Sequence, residues 1–356
     1  MMEIEELIKT KQLKDIDFGG QTLESVNFSG CTLVNVNFKD AILRHCIFDE
    51  ATLESCDFDH SGKAEEPTLQ SVSFRKANLT NCRFRYANIS WSDFRYSRID
   101  SATFEDSIVD FCDFYRAFFE GVVLFKHSAF SNCSFFNAYF GDGANIRREN
   151  LYMGRILQQD KANYTKFLVD WHNFGTGVRT NDRSKISDWT PTEAVKARWA
   201  DAEDIYKTLN GLWAGKGYIA DANWAYVQGR RMECRRMIAE YDDPKLTFWA
   251  KVKNTWNIFT NYLSDLLFGY GESMSRMILT YIFTVFLFAL FFKAQVTPLE
   301  YIEALGISLK NMAGMDSDML REVSPIVDML NLMQTTIGIL LTGIFGFILG
   351  NKIRNQ

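Results

Sequence analysis

The sequence predicts a multidomain chain with three kinds of structure: a solenoid of short strands, a helical connector, and a two-helix membrane domain. Three observations carry this. An apolar residue returns at every fifth position from Leu13 to Phe140, with two interruptions. After Asn150 that period stops and helical spacing replaces it. Near the end, Met277–Phe292 and Leu330–Leu349 carry no charge, and each is close to the roughly 20 residues that cross ~30 Å of hydrocarbon.

The totals set bounds on this reading. At 356 residues the chain has room for two or three domains. A net charge of −5 argues against binding nucleic acid through its phosphates. The N-terminal stretch MMEIEELIKTKQL is acidic and has no apolar core, so no secretory signal is expected and the N-terminal part is expected to stay in the cytoplasm. Seven Cys with four scattered His and no CxxC predict no metal site. No Ser/His/Asp grouping or glycine-rich phosphate loop stands out, so no cofactor and no enzyme activity are expected.

Residues 1–146 form the solenoid. The fivefold series runs Leu13, Phe18, Leu23, Phe28 and onward to Phe58, resumes at Leu69, and continues through Phe119 to Leu124. It then slips by one to Phe130, Phe135 and Phe140. Neither a helix period of about 3.6 nor a strand period of 2 accounts for a strict five. Two residues before these positions stands a small or β-branched residue, such as Val36, Ala41, Ala77 or Ala102. Cys31, Cys46, Cys56, Cys82, Cys112 and Cys133 share that slot, which makes them small buried hydrophobes. A coil that turns a corner every five residues, with two inward residues per side, satisfies the pattern. Coils stacked ~4.8 Å apart then pair as in a parallel sheet. Asp59–Pro67 breaks the period and reads as a surface loop.

Ala77-Asn78-Leu79 and Ala87-Asn88-Ile89 resemble the repeat unit of the pentapeptide-repeat family. The resemblance implies a right-handed quadrilateral β-helix with four repeats per coil, hence about six coils and ~30 Å of length at the sheet spacing. Some members of that family mimic DNA and act on gyrase. Through Ile146 the chain has 22 acidic and 14 basic residues, so an acidic rod is expected. A structural or docking rod, open to a cytoplasmic protein partner or ligand, is the preferred reading, because folds do not fix functions.

Residues 147–243 are expected to be a cytoplasmic helical connector. Thr190-Pro191-Thr192-Glu193 starts a helix that Asn210-Gly211 is expected to end. Val195, Trp199, Ala202, Ile205, Tyr206 and Leu209 mark its apolar face. Lys216-Gly217 leads to a second helix, Tyr218–Glu240, and an antiparallel hairpin follows. Its basic run, Arg230, Arg231, Arg235 and Arg236, reads as a solvated face, with anionic headgroups or the acidic rod of a neighbour the alternative. Residues 244–272 then carry Phe248, Trp249, Val252, Trp256, Phe259, Leu263, Leu266 and Leu267 at helical spacing beside Lys251 and Lys253. That pattern suits an amphipathic interfacial helix.

Residues 273–356 are expected to be a transmembrane pore domain, with spans about 273–293 and 329–350 and a re-entrant pore helix about 298–311. Thr297 is read as the N-cap of the short helix, with Pro298 and Glu300 in its first turn. The positive-inside rule places both termini in the cytoplasm.

Span, short helix, loop and span resemble the two-span ion-channel domain of the potassium-channel superfamily. Tyr206-Lys207, Gly217, Ala222, Trp224, Arg231-Met232-Glu233 and Gly269-Tyr270-Gly271-Glu272 resemble bacterial proteins that join pentapeptide repeats to such a domain. This likeness implies a homo-oligomer, a tetramer, in the bacterial inner membrane, in contact with the lipid bilayer and permeant ions. The family's Thr-Val-Gly-Tyr-Gly filter is missing. In its place stands a pore loop of Asn311, Met312, Ala313, Gly314, Met315, Asp316 and Asp318. Rings of Asp316 and Asp318 would favour cations in general, although Lys310 opposes them. Asn331, Thr335, Gly338 and Thr342 recur at helical spacing as pore-lining candidates, with Phe345 and Leu349 as a gate; the alternative is that Asn331, Gln334 and the Thr residues only glue helices together. The alternative is a membrane-anchored pentapeptide-repeat scaffold with no conduction. A gyrase-directed DNA mimic is disfavoured by the membrane hairpin.

Overall fold

The computed structural model describes residues 2–160, 164, 191–241, 246–296, 298–315 and 324–354. The chain divides into two units, Met1–Asp243 and Pro244–Gln356.

The first unit opens with helix α1 (Met2–Lys9), whose Ile4 and Ile8 pack on the start of the core. Thirteen strands follow, β1 (Gln12–Lys14) to β13 (Tyr139–Phe140), each two or three residues long. Odd-numbered strands stack as one parallel sheet and even-numbered strands as another. Two further rows of parallel bridges, one beginning Asp17↔Asn37↔Asp57 and the other Asn27↔Ile47↔Ser73, make the remaining sides. The solenoid is therefore four-sided. Its register is kept by apolar ladders such as Leu13↔Leu33↔Leu53↔Leu79.

Phenylalanine fills the interior in two columns. Phe18, Phe38, Phe58, Phe84 and Phe104 stack face to face with centroids 4.8–5.3 Å apart. Phe28, Phe48, Phe74, Phe94 and Phe114 do the same at 4.8–5.0 Å. The spacing is that of the coils, about 4.8 Å, so each ring lies on its counterpart one coil away. Between columns the rings meet edge-on, as Phe38 and Phe48 do at 5.9 Å. All six repeat cysteines are buried and unbridged. Several donate weakly to a carbonyl one coil back, as Cys133 Sγ does to Val109 O at 3.3 Å.

The sequence register needs one correction. Leu124 does not enter the core; Val123 and Phe125 are the buried residues there. The extra residue enters one corner earlier, at Gly121-Val122, where Gly121 has φ +57° and Val122 is 60% exposed. The Asp59–Pro67 insertion stays outside the ladder, yet it starts from an anchored residue. Asp59 is buried and accepts from Arg85 N at 2.7 Å and Arg85 Nε at 2.9 Å.

Helices α2 (Pro191–Gly215) and α3 (Ile219–Tyr241) form an antiparallel pair that turns at Gly217, φ +74°. Val195, Trp199, Ala202, Ile205, Tyr206 and Leu209 all join the core, as the spacing predicts. The expected stop at Asn210-Gly211 is overridden, and α2 continues one turn to bury Trp213. Trp213 Nε1 donates to Ile146 O at 2.8 Å, and Lys216 Nζ donates to Ala144 O. The hydrophobic core thus runs without a break from the last coil into the helical pair. The basic run is largely spent inside the hairpin. Arg236 pairs with Glu203 at 2.8 Å and Glu240 at 2.6 Å, Arg230 pairs with Glu233, and Arg235 stacks on Trp199.

The second unit contains α4 (Phe248–Phe268), α5 (Met274–Gln295), α6 (Tyr301–Met312) and α7 (Pro325–Arg354). Helices α5 and α7 have mean hydropathies of 2.1 and 1.9 and are long enough to cross a membrane. Thr247 caps α4 and Ser273 caps α5. Between α4 and α5, Gly269, Tyr270 and Gly271 all hold positive φ. Arg276 braces that elbow by pairing with the Asp265 carboxylate at 2.6 Å, while Thr280 donates to Leu267 O at 2.9 Å.

Candidate functional site in the apolar hairpin

The site is built where the short helix α6 lies between α5 and α7. Its cap differs from the expected one. The helix starts at Tyr301, with Glu300 as N-cap and the Glu303 carboxylate accepting from Glu300 N at 3.0 Å. Thr297, expected to cap it, lies outside the described residues. Three turns give α6 a length of about 18 Å at ~1.5 Å per residue, well under a span.

Its direction is fixed by its partners. Ala304 and Ile307 pack with Val327 near the start of α7. One turn on, Ser308 meets Gln334, and at the end Met312 meets Gly338. Helices α6 and α7 therefore run in the same sense. The C-terminal end of α6 thus lies beside the middle of α7, where Met312 meets Gly338. With α5 the sense is opposite, since Phe288 and Phe292 join Ala304 in the same cluster.

A buried polar network ties the three helices together. Gln334 is fully buried. Its Nε2 donates to Ser308 O at 3.1 Å and also to Ser308 Oγ, and its Oε1 accepts from Asn311 Nδ2 at 3.1 Å. Ser308 Oγ donates in turn to Val285 O of α5 at 2.8 Å. In an apolar setting a polar group left without a partner costs several kcal/mol, so such a network specifies one arrangement. Sequence reasoning missed Ser308 and counted Gln334 only as possible helix-to-helix glue. Ser308 stands one turn from buried Ala304 and Met312, and Gln334 two turns from buried Val327 and Leu341, so a polar residue at a core position was the available signal.

The predicted pore residues separate into groups. Asn331 and Gly338 are buried against neighbours in the same chain. Asn331 is 6% exposed and its Oδ1 has no hydrogen-bond partner among the described residues. Thr335 and Phe345 are half-buried, Phe345 against Met277 and its neighbours. Thr342 and Leu349 are exposed. The shared face expected for these six is thus divided, because α6 covers only the first half of α7 and the buried side rotates beyond it. Of the expected loop residues, Asn311 and Met312 instead form the buried end of α6, while Ala313, Gly314 and Met315 follow it and are exposed. Asp316 and Asp318 lie outside the described residues. Lys310 is exposed on the side of α6 away from the network.

Helix α4 is inverted relative to a helix of a soluble protein. Asn254 and Asn261 are buried, while Phe248, Trp249, Trp256, Phe259, Tyr262 and Leu266 are each more than half exposed. Asn261 Oδ1 accepts from Tyr270 OH at the elbow, at 2.5 Å.

Four-sided stacking, a five-residue repeat and paired phenylalanine columns define a pentapeptide-repeat domain at the N-terminus. Residues 13–59 and 68–98 match the family described as pentapeptide repeats, in eight copies. Among solved structures, QnrB1, a plasmid-mediated fluoroquinolone resistance protein, is 12% identical, with a TM-score of 0.24 over 45% of this chain and 95% of that one. A pentapeptide repeat protein of the Arabidopsis thaliana thylakoid lumen is 26% identical, with a TM-score of 0.15 over 34% of this chain and 68% of that one. Rfr23 of the cyanobacterium Cyanothece 51142 is 12% identical, with a TM-score of 0.19 over 40% and 97%. Comparison with curated proteins gives no match.

Proposed function

We propose that the second unit assembles in a membrane as an oligomer and forms a weakly selective cation pore, with the pentapeptide-repeat domain as its docking or assembly module. The course of α6 carries this reading. A helix too short to span lies between two that are long enough, runs in the same sense as α7, and is fixed by Gln334, Ser308 and Asn311. A plain anchor needs no third helix at that depth, and irregular backbone within a membrane is tolerated only against protein or a wet cavity. The exposed aromatic side of α4 supports a bilayer neighbour. One chain supplies two spans, so a passage requires several copies.

The test is conductance of the purified full-length protein in planar bilayers. Unitary cation currents are expected, and silence under every voltage, tension and salt applied would leave a membrane-anchored scaffold. One observation favours that second reading: Asn331 and Gly338 turn toward their own chain.

A further inference from the structure

Gly338 stands in the middle of a membrane-length helix, where glycine costs about 1 kcal/mol relative to alanine. The reason for a glycine lies in what it touches. A Cβ at Gly338 would fall 2.6 Å from both Cα and the carbonyl oxygen of Met312, and 2.9 Å from its carbonyl carbon. Those are backbone atoms of the last residue of α6, so no side-chain rotation can make room. The other glycines of α7, Gly343, Gly346 and Gly350, have open space at the same place. One turn before Gly338, Gln334 holds the Ser308 carbonyl and hydroxyl and the Asn311 amide. Just beyond the contact, Gly314 closes the turn with φ +73°, and a Cβ there would lie 3.6 Å from Ile339.

We propose that Gly338 and Gln334 form a socket in α7 that seats the C-terminal end of α6 and so fixes the depth of the Asn311–Met315 turn, which sets the conductance of the pore. The proposal rests on the pore reading for its functional half, while the position of the turn can be measured without it. Gly338 provides a flat surface for close backbone approach, and Gln334 provides directional bonds that fix rotation of α6 about its axis. Both are positioning residues; they act through the turn.

The native cysteines of the described chain are all buried, so a Met315→Cys substitution at the exposed turn gives one addressable site for a nitroxide in the full-length protein in liposomes. With Gly338→Ala, or the gentler Ser308→Ala, the label's mobility is expected to change and the unitary conductance to shift. Gly343→Ala is the control and should alter neither. An unchanged spectrum at position 315 in both Gly338→Ala and Ser308→Ala overturns the socket, as does a conductance shift in Gly343→Ala equal to theirs. If the parent protein is silent, the pore reading falls, and the spectra alone then decide whether the socket exists.

Discussion

At the scale of single residues, the rod is held by rings whose neighbours are the same residue one coil away. Phe84 is fully buried between Phe58 at 4.9 Å and Phe104 at 4.8 Å. Phe84→Ala should cost about 3–5 kcal/mol, because stacked backbones cannot collapse into the gap. A lowered thermal midpoint of the rod is the measurement. Asp49 offers a test with a sign. Burial, aided by the nearby charge of Asp93, pushes its carboxyl above the usual range, against the bonds from Ser73 and Arg75 N. A raised folded value means the ionised form is penalised in the folded state. That penalty is present at neutral pH and fades as pH falls through the folded value toward the unfolded one, near 4. Asp49→Asn keeps an acceptor for Ser73 and should therefore be the more stable protein at pH 7. Its advantage should shrink on acidification, and an advantage that grew instead would refute the account. The Phe and Cys positions were legible from spacing alone, since each repeat sets one ring and one small residue inward. The corners were not. Trp91 and Phe111 both take φ +53°, a conformation that bulky residues rarely adopt, and nothing local in the sequence announces it.

Secondary elements show where tertiary packing outweighs local signals. Asn210-Gly211 is a sound stop signal, but α2 passes through it because the next turn carries Trp213 into the core. Trp213→Phe keeps an aromatic side chain, smaller than the indole, and removes the donor to Ile146 O. A buried carbonyl left unpaired costs about 1–3 kcal/mol, so amide exchange at Asn145, bonded to Val123 O, should accelerate while the first coils keep their protection. Equal protection everywhere would mean that the helical pair does not close the solenoid. In the second unit the apolar stripe of α4 was readable. That Asn254 and Asn261 would form its protected side was not, since a soluble helix and a membrane-surface helix share one periodicity. Nitroxides placed along α4 in liposomes should be oxygen-accessible at 252, 256, 259 and 263. Uniform access to a water-soluble relaxant there would remove α4 from the bilayer. The lining assignment for α7 failed in part for a related reason: one helical face holds Asn331 and Thr342, but only the first half of that face is covered by α6.

For the whole molecule, the exposed surface of α5 and α7 sets the decisive question. Phe283 is 64% exposed, Leu340 60% and Phe347 69%, all uncharged and on helices of membrane length. Lipid satisfies such faces around an anchor. In an oligomer, part of the same surface meets other copies. Two spans cannot enclose a passage, so the pore reading requires more than one copy per particle. Mass measurement of the full-length protein in nanodiscs should give a discrete multiple of 41.1 kDa, and removal of the whole second unit, Pro244–Gln356, should abolish membrane attachment. A particle of one copy would end the pore proposal outright. The rod would be unaffected, because the phenylalanines and cysteines of its core are buried within a single copy.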